Sequence, residues 1–244
     1  MSVGTILVCL NTAERAGELI KAGCMVAEQQ DAHLIGLYVV PGVQYYSAPA
    51  GTHAAVDINK EQRAYYEGHL DGIKKQFEET TRKYAVRAEW RSLQSDTHQV
   101  AGVAIEHGMQ SDLIIAGQSP EDGFDSFEPE FAERVIMESG RPVLIIPHTG
   151  NFNSVGTNAL VAWNGTTESA RAAGEALPLL QAAEKTTVVW INPESVAGED
   201  ALAGAELATM LARHNITSVA EQISTGEKNT GEVLLTKAAD LGAD

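Results

Sequence analysis

Residues 160–180 read LVAWNGTTESARAAGEALPLL, an apolar run that ends in Asn-Gly-Thr and passes into an alanine-rich helical pattern. A short apolar run stopped by polar residues predicts a β-strand that is buried on both faces. Strands of this kind that alternate with helices are typical of parallel α/β sheets. The stretch therefore has the form of the start of an α/β domain, although it lies two thirds of the way along the 244 residues.

A second apolar run of the same kind opens the chain as TILVCLN, and it too leads into a helical pattern. Asn11 and Asn164 end these equivalent strands and lie 153 residues apart. Pro41 and Pro193 stop the next pair of strands, and their separation is 152 residues. Self-similarity in order, spacing and local sequence predicts a duplicated α/β domain.

The spacing changes at the third pair of strands, because AEWRS from Ala88 matches AEQIS from Ala220, which lies 132 residues later. The first copy therefore carries about twenty additional residues, and the Gly-, Pro- and Ala-rich stretch 41–59 supplies them. We predict that this stretch is a loop, since insertions concentrate in loops. The two domains are expected to span residues 1–150 and 151–244.

The second copy is shorter than the first at its carboxyl end. Asp244 matches Asp112 at the separation of 132 residues, and Asp112 comes just before the apolar run LIIAG. The first copy continues with that strand, a helix and the final strand PVLIIP. We therefore expect two tandem α/β domains with doubly wound parallel sheets, the second truncated before its fourth strand. A sheet that stops there leaves its first strand as an unpaired edge.

The composition excludes several classes of function. The chain carries 33 acidic and 17 basic residues and a formal charge of -16, so its field repels nucleic acid backbones and anionic membranes. No apolar stretch approaches the roughly 20 residues that span a bilayer. The N-terminal sequence has neither a basic leader nor a sustained apolar segment, so we expect a cytoplasmic protein without nucleic acid or membrane partners.

The sequence offers no recognisable catalytic or metal-binding motif. Cys9 and Cys24 form no Cys-x-x-Cys pair, and the seven histidines form no His-Glu-x-x-His pattern. The stretch GQSPE differs from the nucleophile elbow Gly-x-Ser-x-Gly, because Glu121 replaces the second glycine. We therefore predict no catalytic residues and no bound metal.

The tandem repeat, with ILVCLN, ALVAWNGTTESARAAGEALPLL and SGRPVLIIP, resembles the universal stress protein family, in particular bacterial members with two fused domains. The resemblance covers both copies and is most specific in the opening of the second. It implies five parallel strands per domain in the order 3-2-1-4-5, association through the last strand, and ATP binding in some members. We accordingly expect a homodimer or a pseudo-dimer.

In an open parallel sheet of this order, ligands bind at the carboxyl ends of strands 1 and 4, where the winding direction reverses. The resemblance implies an acidic residue at the end of strand 1 that holds ribose hydroxyls. Asn11 and Asn164 stand there instead, and they carry no charge. The resemblance also implies an adenine pocket, whose positions in the two copies are Cys9, Val39, Ala162 and Ile191.

The resemblance implies a phosphate loop that reads G-x-x-G, followed by nine residues and then by G-S or G-T. Glycine in such a loop lets backbone N–H groups approach the phosphates. In the first copy Gly117 fits, but Pro120 takes the second glycine position, and Pro129-Glu130 falls where the small pair belongs. The same loop carries five carboxylates, which repel the negative charges of a triphosphate. They are those of Glu121, Asp122, Asp125, Glu128 and Glu130. We expect the first copy not to bind ATP in the family's way.

The second copy keeps the better opening, Asn164-Gly165-Thr166, but lacks strand 4 and its loop. We expect no cofactor in the chain as it stands, and ATP binding only in a complete second domain. These features favour a non-catalytic stress-response protein that binds a small molecule or a protein partner. Two alternatives stay open: an ATP-dependent enzyme of the adenine nucleotide α-hydrolase-like group, and a purely structural pairing module.

Overall fold

The computed structural model describes residues 2–43, 45–47, 55–57, 60–119, 128, 130–191 and 203–244 of the chain. Its internal contacts separate one unit, Val3–Phe152, from another that is formed mainly by Asn153–Asp244. Each unit contains its own parallel β-sheet. The chain is therefore a tandem arrangement of two α/β units.

The first unit alternates strands and helices along the chain. A 3-10 turn at Ala13–Arg15 leads into its first helix. The strands and helices are β1 (Thr5–Cys9), α1 (Ala16–Gln30), β2 (His33–Val40), β3 (Tyr45–Ser47), β4 (Ala55–Asp57), α2 (Lys60–Tyr84), β5 (Ala88–Gln94), α3 (Ala101–Gly108), β6 (Leu113–Gly117), α4 (Phe131–Glu138) and β7 (Val143–Ile146).

The five main strands of this unit form one parallel sheet in the order β5-β2-β1-β6-β7. Counted without the short β3 and β4, this is the order 3-2-1-4-5, so the predicted doubly wound α/β fold is confirmed. β1 lies at the centre, because Ile6 has Leu34 opposite it on one side and Leu113 on the other. The winding direction reverses between β1 and β6, and the carboxyl ends of these two strands therefore border a crevice.

Both faces of the central strands are buried, as their apolar runs predict. Alternate side chains of β1 and β2 join an apolar cluster with α3 and α4 that includes Leu7, Leu37 and Val135. The opposite face of the sheet packs against α1 and α2. There Gly36 leaves room for Phe77, because a Cβ atom on Gly36 would lie 2.6 Å from the aromatic ring.

Helix α2 is the longest in the described residues, with 25 residues, and it packs against β2 and β5. Its buried side chains include Tyr66, Ile73 and Phe77, whereas most of its remaining residues are exposed or half-buried. In the part of the chain that the structure describes, no helix combines the length and apolar character needed to cross a membrane.

The stretch 41–59, predicted as a loop, contains regular structure. Strands β3 and β4 pair antiparallel within it, with Tyr45 opposite Asp57. Residues 44, 48–54 and 58–59 of this stretch lie outside the described residues. The pairing of β3 with β4 provides hydrogen bonds for backbone groups that a loop would leave to water. The composition of the stretch does not reveal this pairing.

The second unit repeats the same alternation. Its elements are β8 (Asn158–Trp163), α5 (Thr167–Glu175), α6 (Leu177–Ala182), β9 (Lys185–Ile191), α7 (Ala203–Arg213), β10 (Ser218–Ile223) and α8 (Thr230–Leu241). Its sheet is parallel, has three strands and follows the order β10-β9-β8. A separate apolar core lies within this unit and includes Val188, Leu207 and Leu211. The prediction of a tandem fold, with three strands in the second copy, is confirmed.

One pair of aspartates makes the same hydrogen bonds in both copies. Asp112 accepts the backbone N–H of Thr5 at 2.9 Å and donates its own N–H to the Thr5 carbonyl at 2.9 Å. Asp244 accepts the N–H of Asn158 at 2.8 Å and donates to the Asn158 carbonyl at 3.1 Å. The two aspartates hold the starts of β1 and β8 respectively, so the pairing of Asp112 with Asp244 by sequence separation has a structural counterpart.

The alignment of the third strands at Ala88 and Ala220 differs from the structure by two residues. Ala88 lies opposite Leu34 in the first sheet, and Ser218 lies opposite Thr186 in the second. Because the second strands correspond at a separation of 152 residues, Ser218 rather than Ala220 corresponds to Ala88. Side chains alternate between the two faces of a strand with a period of two, so a shift of two residues keeps every side chain on the same face and the side-chain pattern does not distinguish the two alignments.

Candidate functional site

The carboxyl ends of β1 and β6 enclose a cleft of about 90 Å³ in the first unit. Asn11 follows β1 by two residues and Gly117 ends β6, and both line this cleft, so the structure brings these two predicted residues together. Their proximity follows from the pairing of Val8 with Ile115, which aligns the two strand ends. The remaining described lining residues are Thr12, Glu14, Arg15, Gln118, Ser119, Glu128, Phe131 and His148.

The two residues assigned to an adenine pocket in the first copy lie in the core instead of along this cleft. Cys9 and Val39 are 2% and 3% exposed, and both belong to the apolar cluster beneath α3 and α4. Burial raises the pKa of the Cys9 thiol to about 12. Neither side chain is among the described residues that line the cleft.

The corresponding positions of the second copy lie in a turn and on two neighbouring strands, where Ala162 and Ile191 share one face of the sheet because Ala162 is paired with Val189. Asn164 Oδ1 accepts the Thr166 N–H at 3.2 Å and the Thr166 hydroxyl at 2.9 Å. Gly165 lies between them with φ at +76°, a backbone conformation that favours glycine. Ala162 is exposed and lines a groove between β8 and α8, whereas Ile191 is buried.

Glu128 has a role that the sequence does not indicate directly. Its Oε2 accepts the backbone N–H groups of Val100 at 2.7 Å and Ala101 at 3.1 Å, at the amino end of α3. Its Oε1 lies 3.1 Å from Nη1 of Arg134. The residue is 9% exposed. A buried carboxylate with two N–H donors and a guanidinium partner has its charge compensated locally.

The sequence contained one signal for this role. Val100 precedes α3 at the N-cap position, and its apolar side chain provides no cap hydrogen bond. The first N–H groups of a helix need acceptors from outside the helix, and most helices obtain them from a local Ser, Thr, Asp or Asn. A helix without such a residue indicates that the acceptor comes from elsewhere in the chain.

Arg134 lies between two carboxylates. Its Nε donates to Glu138 at 3.0 Å, and its Nη1 donates to Glu128 at 3.1 Å and to Gln99 Oε1 at 3.2 Å. The hydrogen bond with Glu138 is the main cause that raises the pKa of Arg134, and Glu128 adds to it. The same bond lowers the pKa of Glu138. The guanidinium charge is therefore compensated within the first unit.

Other polar groups of the cleft also have partners within the unit. Arg15 donates from Nη1 to the Gly150 carbonyl and from Nη2 to the Pro147 carbonyl, both at 3.0 Å. Glu14 Oε1 accepts the hydroxyl of Tyr65 at 2.8 Å. These contacts hold the segment after β1 to the segment after β7 and to α2. The cleft is a polar site in which Glu14, Arg15 and Glu128 all make hydrogen bonds, whereas the buried Nε of Arg15 has no hydrogen-bond partner among the described residues.

Part of the predicted phosphate loop lies outside the described residues. Residues 120–127 and 129, which include Pro120, Glu121, Asp122, Asp125 and Pro129, belong to this part. Glu130 is described, exposed and located at the N-cap position of α4, where its side chain makes no cap hydrogen bond. Within the described ranges, no group of three or more His, Cys, Asp or Glu residues is arranged to hold a metal ion.

Comparison with known proteins gives one family and several similar folds. Residues 3–147 match the model of the universal stress protein family. A universal stress protein from Archaeoglobus fulgidus DSM 4304 is 14% identical, with a TM-score of 0.71, over 99% of this chain and 83% of that chain. A functionally unknown protein from Pseudomonas aeruginosa PAO1 is 15% identical, with a TM-score of 0.57, over 99% of this chain and 79% of that chain. Comparison with curated protein sequences gave no match.

Proposed function

Because the chain belongs to the universal stress protein family, we propose that it acts by binding a ligand or a partner rather than by catalysis. The observation that carries this proposal is the engagement of the charged side chains in the first-unit cleft. Glu14, Arg15 and Glu128 each make hydrogen bonds that maintain the fold. A binding role agrees with such an arrangement, because binding needs shape and hydrogen-bonding groups but no group that must transfer a proton.

The alternative of an ATP-dependent enzyme requires free positive charge near the transferred phosphate. Arg15, which lines the cleft, donates from both Nη atoms to backbone carbonyls and keeps only its buried Nε without a described partner. Arg134, which binds the cleft residue Glu128, also pairs with Glu138. A general acid or base must also reach its substrate, whereas Glu128 is held by two backbone N–H groups. These contacts support a non-catalytic role.

We propose further that the first unit does not hold ATP. The cleft encloses about 90 Å³, whereas pockets for ligands of nucleotide size measure about 300–1,000 Å³. Glu14 and Glu128 both line it, and carboxylates repel the phosphate charges. Asn11 supplies a neutral amide where a ribose-binding carboxylate would stand. For the second unit, we propose nucleotide binding only where a further strand lies beside β8.

The nucleotide content of the purified protein tests this proposal. The protein is denatured directly after purification, and the supernatant is assayed by liquid chromatography and mass spectrometry. We expect no stoichiometric nucleotide. A control sample with added ATP establishes recovery from the denatured protein. ATP or AMP released in a near-stoichiometric amount would contradict the proposal for the chain as it stands.

Restoring the missing carboxylate provides a second comparison. In the variant Asn11→Asp, the ribose contact implied by the family is present, but the carboxylates of Glu14 and Glu128 stay in the cleft. We expect titration calorimetry with ATP to give no binding heat for either the wild type or the variant. Binding by the variant alone would mean that Asn11, rather than the cleft as a whole, prevents ATP binding.

A pairing module is the second candidate function, and the surface around β7 favours it. β7 is an edge strand of its sheet, and α4 packs against it. On α4, Ile136 and Met137 are 47% and 81% exposed. We propose self-association through this edge, which sedimentation equilibrium tests. We expect mass to rise with concentration and Met137→Lys to weaken association. A monomer at every concentration would reject pairing but not ligand binding.

A further inference from the structure

We propose that residues 147–152 form a strap beside the first-unit cleft, and that this strap and a small carboxylate ligand compete for Arg15. The strap follows β7 and continues directly into the second unit, whose main part begins at Asn153. The inference rests on the proposed ligand-binding function and deepens it, because it names a ligand class and what binding changes. Its test measures peptide-bond cleavage, so its failure would leave the nucleotide result unaffected.

Arg15 supplies two of the hydrogen bonds that hold the strap. Its Nη1 donates to the Gly150 carbonyl and its Nη2 to the Pro147 carbonyl, both at 3.0 Å. Residues 147–151 are exposed, so burial of strap side chains contributes little to keeping the strap in place. A segment with few buried apolar contacts opens locally at a low free-energy cost. The position of the strap therefore depends on Arg15.

The residues that hold the strap also line the cleft. Arg15, Gln118 and His148 are all among its lining residues. Gln118 Oε1 accepts the backbone N–H of His148 at 3.1 Å, which gives the strap a second point of attachment. A ligand in the cleft therefore contacts the groups that attach the strap to the first unit.

The strap leaves Arg15 incompletely satisfied. The Nε of Arg15 is buried and has no hydrogen-bond partner among the described residues, and buried donors without partners are rare because they cost free energy. A carboxylate binds a guanidinium group through two parallel N–H···O bonds, and Nε with one Nη atom forms such a pair of donors. A carboxylate bound in this way satisfies Nε and displaces one strap carbonyl from Arg15.

The charges of the cleft favour a ligand with a single carboxylate. Among the described lining residues, Arg15 carries the one permanent positive charge, whereas Glu14 and Glu128 are acidic. Glu128 is already paired with Arg134. One negative charge on the ligand is offset by Arg15, whereas a triphosphate brings several charges close to two carboxylates. The volume of about 90 Å³ also suits a small molecule.

Chymotryptic cleavage after Phe152 tests the strap, because a protease cuts this segment only when it opens locally. Mass spectrometry follows the fragments 1–152 and 153–244. In Arg15→Gln the guanidinium is lost, and we expect the cleavage rate to rise about tenfold. Gly150→Ala places a side chain at a φ of +98° and should raise the rate about fivefold without changing a lining residue. Wild-type rates in both variants would overturn the inference.

Two further variants provide the controls. Thr149→Ala removes an exposed side chain of the strap. Arg87→Gln removes an arginine that donates to a backbone carbonyl elsewhere in the first unit, that of Asp31. Neither should change the rate of cleavage after Phe152. An increase in Arg87→Gln equal to that in Arg15→Gln would count against the strap, because the rate would then follow general stability.

Acetate is the probe for the competition, at roughly 100 mM and compared with chloride at equal ionic strength. We expect acetate to raise the wild-type cleavage rate about threefold, because bound acetate withdraws Arg15 from the strap. Arg15→Gln should give the same rate in both salts. Equal rates for the wild type in the two salts, or an equal acetate response in Arg15→Gln, would overturn the inference. If Arg15→Gln does not fold, the rates of the wild type and Gly150→Ala decide.

Discussion

At the scale of single residues, carboxylates that accept backbone N–H groups recur in this molecule. Asp112 and Asp244 hold the first residues of β1 and β8, and Glu128 holds the first N–H groups of α3. Each of these side chains closes a contact between distant parts of the chain. Hydrogen bonds to a charged acceptor are stronger than neutral ones, which suits them to joining separate elements.

The first prediction at this scale concerns Asp112. In Asp112→Ala, the N–H groups of Gly4 and Thr5 lose the Oδ2 acceptor that lies 2.9 Å from each. We expect the free energy of unfolding to fall by about 1 kcal/mol, measured by urea denaturation. Asp71→Ala, on the exposed face of α2, is the matched control and should leave the midpoint unchanged. Equal effects of the two substitutions would show that the acceptor role of Asp112 is unimportant.

The second prediction concerns the thiols. Burial raises the pKa of Cys9 and Cys24 to about 12, and the carboxylate of Glu28 adds to the shift at Cys24. Since the thiolate is the reactive form, Ellman's reagent at pH 8 should label neither cysteine in the folded protein and both after denaturation. The same shift makes stability depend on pH, because above pH 9 the thiols lose their protons in the unfolded chain but keep them in the folded protein. We therefore expect the free energy of unfolding to be unaffected by these thiols below pH 9 and to decline as pH rises from 9 towards 12. Rapid labelling of the native protein would contradict the burial of these thiols.

At the scale of secondary-structure elements, the contact between α2 and β2 depends on a glycine. A Cβ atom on Gly36 would lie 2.6 Å from Cε2 of Phe77, and the Phe77 ring is itself packed 5.5 Å from Trp90, centroid to centroid. The ring is 2% exposed and has little space into which to move. The long helix approaches the sheet closely at this position because the strand has no side chain there.

This contact gives a prediction with an internal control. Gly36→Ala should reduce the free energy of unfolding by about 1–3 kcal/mol, because overpacking forces the ring or the helix to shift. Gly72→Ala, on α2, introduces the same methyl group where no atom lies within 4 Å, and it should be neutral or stabilising by up to about 1 kcal/mol. Urea denaturation of both variants measures the difference. Similar midpoints would mean that α2 adjusts to the added methyl group without cost.

At the scale of the whole molecule, the two units contain separate sheets and separate apolar cores. We propose domains over residues 1–150 and 151–244, and the contacts of the chain divide close to this boundary, after Phe152. All five strands of the first sheet end before residue 147. A unit with a complete sheet and its own core has what independent folding requires.

The prediction at this scale is that residues 1–150 fold when expressed alone. We expect far-ultraviolet circular dichroism of a mixed α/β protein and a single cooperative urea transition. The five-stranded sheet and the cluster around Leu37 lie wholly within this segment, which is the physical reason. A non-cooperative transition, or aggregation at all concentrations, would mean that the second unit contributes to the stability of the first.

The sequence by itself determined the order and type of the main elements in both units. Apolar runs predicted the strands because parallel strands covered on both faces leave little room for polar residues. The separations of Asn11 from Asn164 and of Pro41 from Pro193 indicated the duplication, since each copy meets the same local requirements. The location of the cleft at the carboxyl ends of β1 and β6, which Asn11 and Gly117 both line, followed from the strand order that the family resemblance implied.

The tertiary structure alone decided which side chains meet across long separations. It brought Glu128 to the amino end of α3 and buried Cys9 and Val39 in the core. It also paired β3 with β4 in a stretch that resembled a loop. The physical reason is that local pattern constrains burial and backbone conformation, whereas a hydrogen bond between residues 28 positions apart depends on the packing of the helices and strands that carry them.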